Sequence, residues 1–222
     1  IAGLYNMRDE FNKAYDYYLN ALNIYEELDD DRGRTMCYNS IGLIYNLQGK
    51  YKEAFNYFNK SLKLDEKQGD INGIASNYHN IGFLHFNQKK YDEAIEYYIK
   101  ALSYYKTLGS EAPIAQIYFY LGDAYEKQNK SKKSLFYLLK CKKLYEKLGI
   151  IKAKPSLLMY KIYKKLGDTK QALEMHELYM ETKDSIAKMD AEEELYKFEV
   201  DKEYELKKQA DSIKHADEIL IQ

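Results

Sequence analysis

Few residues in this 222-residue protein are of a type and spacing that could do chemistry. The stretch His176-Glu177-Leu178-Tyr179-Met180 opens like a His-Glu-x-x-His zinc motif, in which two imidazoles one helical turn apart hold the ion and the glutamate activates its water. Met180 stands where the second imidazole belongs. Two cysteines, Cys37 and Cys141, cannot make a disulfide framework and are read as small buried hydrophobes. No glycine-rich phosphate loop, Ser/His/Asp set or Cys/His cluster occurs. The sequence therefore reads as non-catalytic, with no metal and no cofactor. Its remaining polar and aromatic groups, asparagine amides and 25 tyrosines among them, are suited to contact rather than to reaction.

The elements that position these groups are helices. Two prolines in the whole sequence, with 45% hydrophobic and 31% charged residues, favour long uninterrupted helices over strands and hairpins. A net charge of −1 gives no bulk attraction to nucleic acid or to an anionic membrane. No run approaches the roughly eighteen apolar residues of a spanning helix, so this stretch is not expected to insert in a membrane. No signal peptide opens it.

A fixed period organises the helices. Tyr78, Ile81, Gly82 and His85 lie on one expected helix and Ala94, Tyr98 and Ala101 on the next. Forty residues upstream stand Tyr38, Ile41, Gly42, Tyr45, Ala54, Phe58 and Ser61; forty downstream stand Tyr118, Leu121, Gly122, Tyr125, Ser134, Leu138 and Cys141. Ala2, Tyr5, Ala14, Tyr18 and Ala21 keep the register, so the sequence starts partway through a unit and reads as cut from a longer protein. Gly49 separates two helices of one unit, while Gly69, Gly109 and Gly149 recur at unit ends as helix caps. Acidic Asp29, Asp30 and Asp31 precede a helix whose positive end they suit. In this register His85 and His176 occupy aromatic packing positions. A fifth unit is looser: Pro155 opens it, Gly167, Tyr163 and Ala172 keep the pattern, and Tyr160 replaces the glycine, which should hold its two helices apart or tilt them.

This pattern of an aromatic, Leu-Gly and Tyr on a first helix, then Ala, an aromatic and Ala on a second, resembles the tetratricopeptide repeat in a longer, 40-residue form. The family's helix-ending proline is missing. The resemblance implies an all-α right-handed solenoid of about four and a half units: 1–30 (partial), 34–69, 71–109, 112–149 and 153–184. It also implies a concave groove lined by the first helix of each unit. On that reading the binding residues are Asn39, Ser40, Leu43 and Asn46 with Met36 beside them, then Ser76, His79, Asn80, Phe83 and Asn87, then Gln116, Tyr120, Asp123 and Lys127 beside Phe119. Asn80 matches a position where longer-period relatives hold the backbone of an extended peptide; an amide donates and accepts at once, whatever the ligand's side chains. The carboxylate clamp of chaperone-binding relatives is not matched, since Lys127 is the lone basic residue among these positions. Lys154, Lys161, Lys164 and Lys165 form a separate basic face.

From 185 to 222 the repeat stops. With no Gly or Pro, i, i+4 pairs such as Glu193 with Lys197, and Leu206, Ile213 and Leu220 seven apart, this stretch reads as one charged helix. For 186–198 the expectation is a cap in which Met189, Leu195, Tyr196 and Phe198 pack on repeat five, and for 199–222 either a coiled coil through which two copies pair or a linker helix. The expected function is binding of a peptide or partner protein in the groove. The alternative is a regulatory input region of a larger bacterial membrane signalling protein with a kinase, cyclase or DNA-binding output, placed on the cytoplasmic or periplasmic side.

Overall fold

The computed structural model describes residues 11–220, with side chains except at 195, 199, 200 and 203–220. Ala2, Tyr5 and the expected coiled-coil positions Leu206, Ile213 and Leu220 therefore lie outside the described residues and side chains. The helices are α1 Phe11–Glu27, α2 Asp31–Leu47, α3 Tyr51–Gln68, α4 Ile71–Asn87, α5 Tyr91–Thr107, α6 Glu111–Lys127, α7 Ser131–Leu148, α8 Ala153–Leu166 and α9 Thr169–Leu220. Among the described residues there is no strand. The fold is an all-α solenoid of helix hairpins: α2 with α3, α4 with α5, α6 with α7, and α8 with α9.

Turns end the helices at almost equal intervals. Asp29, Gly49, Gly69, Lys89, Gly109, Asn129, Gly149 and Gly167 all take positive φ, close to one every twenty residues. At Gly69 (φ 69°) the left-handed residue brings the next N–H back to the helix end, where Asp70 N bonds Asp65 O at 2.9 Å. Lys89 performs the same turn at φ 62° with a side chain that disfavours it. The side chains of Asp30 and Asp70 then cap α2 and α4: Asp30 accepts from Gly33 N (3.0 Å), and Asp70 from Asn72 N and Gly73 N (3.0 and 3.1 Å).

Within the first three of these hairpins the contact is a glycine against a large side chain. A Cβ on Gly42 would meet the Phe58 ring at 2.6 Å, on Gly82 the Tyr98 ring at 2.7 Å, and on Gly122 Leu138 at 2.7 Å. Phe58, Tyr98 and Leu138 are fully buried, and so are Ala54 and Ala94 one turn before the first two. The core is thus a series of small clusters at successive junctions, around Leu22, Cys37 and Ile41, around Phe58, Ile81 and Leu84, and around Tyr98, Tyr105, Leu121 and Cys141.

The protein divides into two compact units, one ending at Ile150 and one starting at Ile151. The repeat pattern in the sequence runs on to 184. In the structure the fifth hairpin goes with the C-terminal helix, because α9 is a single 52-residue helix with no glycine or proline to stop it. In this second unit Tyr160, standing at the glycine position, packs its ring 4.9 Å from that of His176. A cavity of about 350 Å³ opens beside them, lined also by Lys164, Gly167, Thr169, Ala172 and Leu173. Met189, Tyr196 and Phe198 do not cap repeat five: they are 56%, 67% and 66% exposed. The helix continues unbroken through them, so the chain does not turn back to lay these side chains on the hairpin. Leu195 is not described.

Candidate functional site

The expected binding residues sit on α2, α4 and α6, and the structure joins them across repeats at an offset of 41 residues. Asn80 Nδ2 donates to Asn39 Oδ1 at 3.0 Å, and Asn39 Nδ2 donates in turn to Ser61 Oγ at 2.8 Å. Two turns further along the same helices, Asn87 Nδ2 donates to Asn46 Oδ1 at 3.2 Å. Asn46 is 2% exposed, so this amide is a strut between α2 and α4 rather than a surface group. Asn39, Ser40, Leu43, Asn80 and Asn87 are half-buried.

Between α4 and α6 the same offset pairs the rings of His79 and Tyr120, and further rings gather around them. His79 lies 5.0 Å from Tyr120, Phe83 6.0 Å from it, and Tyr120 stacks on Tyr98 at 5.5 Å and 20°. Phe119 meets Tyr120 edge-on. His79, Phe83, Phe119 and Tyr120 are half-buried, as are Ser76 and Asp123; Met36, Gln116 and Lys127 are exposed. Burial of the His79 ring pushes its pKa down to about 4, so it is a neutral aromatic near physiological pH. Its Nε2 and the Tyr98 hydroxyl are buried without a hydrogen-bond partner among the described residues. The face therefore has two halves, an amide half over repeats two and three and an aromatic half over repeats three and four.

Beneath the amide half lies a buried polar cluster that sequence reasoning missed. Asp65, 2% exposed, accepts from Asn77 Nδ2 at 2.6 Å. Burial and the charge of Asp70 raise its pKa to about 6, against hydrogen bonds from Asn77, Thr35 and Ser61. Gly73 makes room for it, since a Cβ there would meet the carboxyl at 2.5 Å. The signal was present: Tyr25, Tyr105 and Tyr145 hold the equivalent position.

A second missed feature follows the repeat on another face. Lys60 lies over Tyr38 and Tyr57, Lys100 over Tyr78 and Tyr97, and Lys140 over Tyr118 and Phe136. The rings stack in register, Tyr45 on Tyr57, His85 on Tyr97 at 5.2 Å and 7°, and Tyr125 on Tyr137. Eight of the 25 tyrosines lie in these ladders, and His85 takes part in one as a ring. Both thiols are buried; burial pushes that of Cys141 up to about 12. Among the basic residues of repeat five, Lys164 lies over Tyr160, and Lys154, Lys161 and Lys165 are exposed. Among the described residues no helix is long and apolar enough to cross a membrane.

Hairpins closed on glycine, stacked at a fixed offset and presenting amides and rings on their first helices, define a helical-repeat scaffold. The family model for the tetratricopeptide repeat matches residues 1–67 and 73–147, and the protein belongs to that family. No curated protein matches the sequence. Among solved structures, BtubC (BKLC) from P. vanneervenii is similar with a TM-score of 0.72 at 21% identity, over 84% of this protein and 78% of its own length. The apo form of RapI gives 0.70 at 18% identity over 83% of this protein, which spans about half of RapI (52%). PilF of Pseudomonas aeruginosa gives 0.65 at 18% identity, over 82% and 72%. At such identities the likeness is one of fold. Proteins of this family are generally non-catalytic scaffolds for protein–protein interaction.

Proposed function

We propose that the face of α2, α4 and α6 binds an extended segment of a partner protein. The observation that carries this reading is the division of that face. Half-buried Asn39 and Asn80 each keep amide capacity beyond the bond they share, and they stand beside the ring patch of His79, Phe83 and Tyr120. The amide half pairs with backbone carbonyl and N–H groups, and the aromatic half takes an apolar or aromatic side group of the segment. A prebuilt surface loses little ordering entropy on binding. The test is selection of random peptides against the 222-residue protein, followed by titration with the protein and its variants. Selected peptides should carry an apolar or aromatic anchor and bind more weakly to Phe83→Ala/Tyr120→Ala. Equal affinity for that variant overturns the assignment.

A second reading is favoured by α9. As 52 continuous helical residues it extends about 78 Å at about 1.5 Å per residue, long enough to relay a state of the array to another element. On that reading the array is a regulatory input. The reading frame past Gln222 tests it: an apolar span followed by an output domain supports it, and a prompt stop removes it.

A further inference from the structure

The helix α7 differs from the other second helices of its kind. It carries six lysines against one glutamate, whereas α3 has four lysines with three acids and α5 two lysines with three acids. The substitutions fall on its outward face. Where the earlier repeats have Glu53 and Glu93, α7 has Lys133; where they have Asn56 and Glu96, it has Phe136; where they have Asn59 and Ile99, it has Leu139. Phe136 and Leu139 are 52% and 48% exposed, and Lys132, Lys133, Lys140 and Lys143 surround them at helical spacing. Lys140 Nζ lies 4.2 Å from the Phe136 ring centroid. This is a basic face with an apolar centre.

Its counterpart is on α9. From Ala187 to Lys202 every described side chain is exposed, although a helix without packing partners is marginal in water. Between residues 184 and 198 Asp184, Asp190, Glu192, Glu193 and Glu194 outnumber Lys188 and Lys197, and Lys197 is already paired with Glu193 at 2.5 Å. Met189 and Tyr196, seven residues apart, give this acidic stretch an apolar line of its own. The two helices match in charge, in apolar content and in length, 18 residues against 15.

We infer that the α7 face is an interface that receives the acidic stretch 184–198 of α9 from a second copy of this protein. Each copy carries both faces, so a pair of copies offers the contact twice. Apolar contact of Phe136 and Leu139 with Met189 and Tyr196 supplies the centre, and the lysine and carboxylate rims fix the register.

The experiment is the solution mass of the 222-residue protein across a concentration range, at low salt and at about 1 M salt, where charges are screened beyond about 3 Å. A dimer at low salt that dissociates in high salt is expected. Lys132→Glu/Lys133→Glu/Lys140→Glu/Lys143→Glu should be monomeric, and so should Glu192→Lys/Glu193→Lys/Glu194→Lys, with unchanged helical circular dichroism, since all these side chains lie on the surface. Mixing the two charge-reversed proteins should restore the dimer, because both contacts become complementary again. Phe136→Ala/Leu139→Ala should weaken association by at least about tenfold. A wild-type monomer at every concentration, a dimer indifferent to both reversals, or a mixed pair that fails to associate overturns the inference. So does a monomer that binds phosphatidylserine vesicles through the α7 lysines, which would make the face a membrane surface.

Discussion

Asn80 and Asn39, 41 residues apart in sequence, meet through one 3.0 Å amide-to-amide hydrogen bond that ties the first helices of adjacent repeats. Asn39 also donates to Ser61 on the second helix of its own repeat, so it bridges three helices while Asn80 bridges two. Asn80→Ala should lower unfolding stability by about 1 kcal/mol, and Asn39→Ala by more, since it strands both neighbours. Urea unfolding of the single and double variants checks this. The double-mutant cycle should show a coupling of about 0.5–1.5 kcal/mol, and additivity would mean that the bond does not hold in solution.

Asp65 and His79 give stability opposite dependences on pH. The Asp65 pKa is raised from 3.8 to about 6, so the folded state holds its proton more tightly than the unfolded state does. Stability from this group is full below about 4 and falls by about 3 kcal/mol as pH rises to about 6. The His79 pKa is lowered from 6.5 to about 4, so the unfolded state takes the proton first. Stability from His79 is full above about 6.5 and falls by up to about 3 kcal/mol as pH drops toward 4. The two slopes offset each other in the wild type. Asp65→Asn should expose acid sensitivity, and His79→Phe should leave a protein that gains stability on acidification. Thermal unfolding from pH 4 to 7 measures both; parallel curves for the two variants would refute the assignment.

Lys89 holds a left-handed turn where five equivalent turns have glycine. Lys89→Gly relieves a strain of roughly 1–2 kcal/mol and adds back some unfolded-state entropy, for a net gain of about 0.5–1 kcal/mol. The change reads out as a higher urea midpoint with an unchanged m-value. A lower midpoint would place Lys89 outside the left-handed region.

Gly82→Ala puts a methyl 2.7 Å from two atoms of the Tyr98 ring and 3.3 Å from the Ala94 carbonyl oxygen. With Tyr98 fully buried there is nowhere for the ring to retreat, and a loss of about 1–3 kcal/mol is expected in the same urea assay. Adding Tyr98→Ala to the same variant should remove the penalty of the added methyl, which separates this clash from any intrinsic effect of alanine.

The hairpins were legible in the sequence because Gly42, Gly82 and Gly122 mark the close contact and recur at 40 residues. The partners on the candidate face were hidden by the same regularity. A 40-residue alignment sets Asn39 beside His79 and Ser40 beside Asn80, whereas neighbouring first helices touch at an offset of 41, so the Asn39–Asn80 and His79–Tyr120 contacts fall off the diagonal. Lys89 and Asn129 were not legible as turn residues because a left-handed conformation imposed by the flanking helices outweighs the preference of a single residue. The exposure of Met189, Tyr196 and Phe198 was missed because their apolar spacing describes a helix face without saying what that face meets.

The junctions differ in kind, and that makes the units non-interchangeable. Between repeats two and three, Asp65 with Asn77, Asn39 with Asn80 and Asn46 with Asn87 interlock by hydrogen bonds. Between repeats three and four, Tyr98, His79 and Tyr120 interlock by rings. Exchange of repeats three and four would set the Asp65 carboxylate against Ile117 in place of Asn77 and offer Tyr120 to Asn39. The protein thus writes the order of repeats two, three and four into their seams, although these units share one backbone.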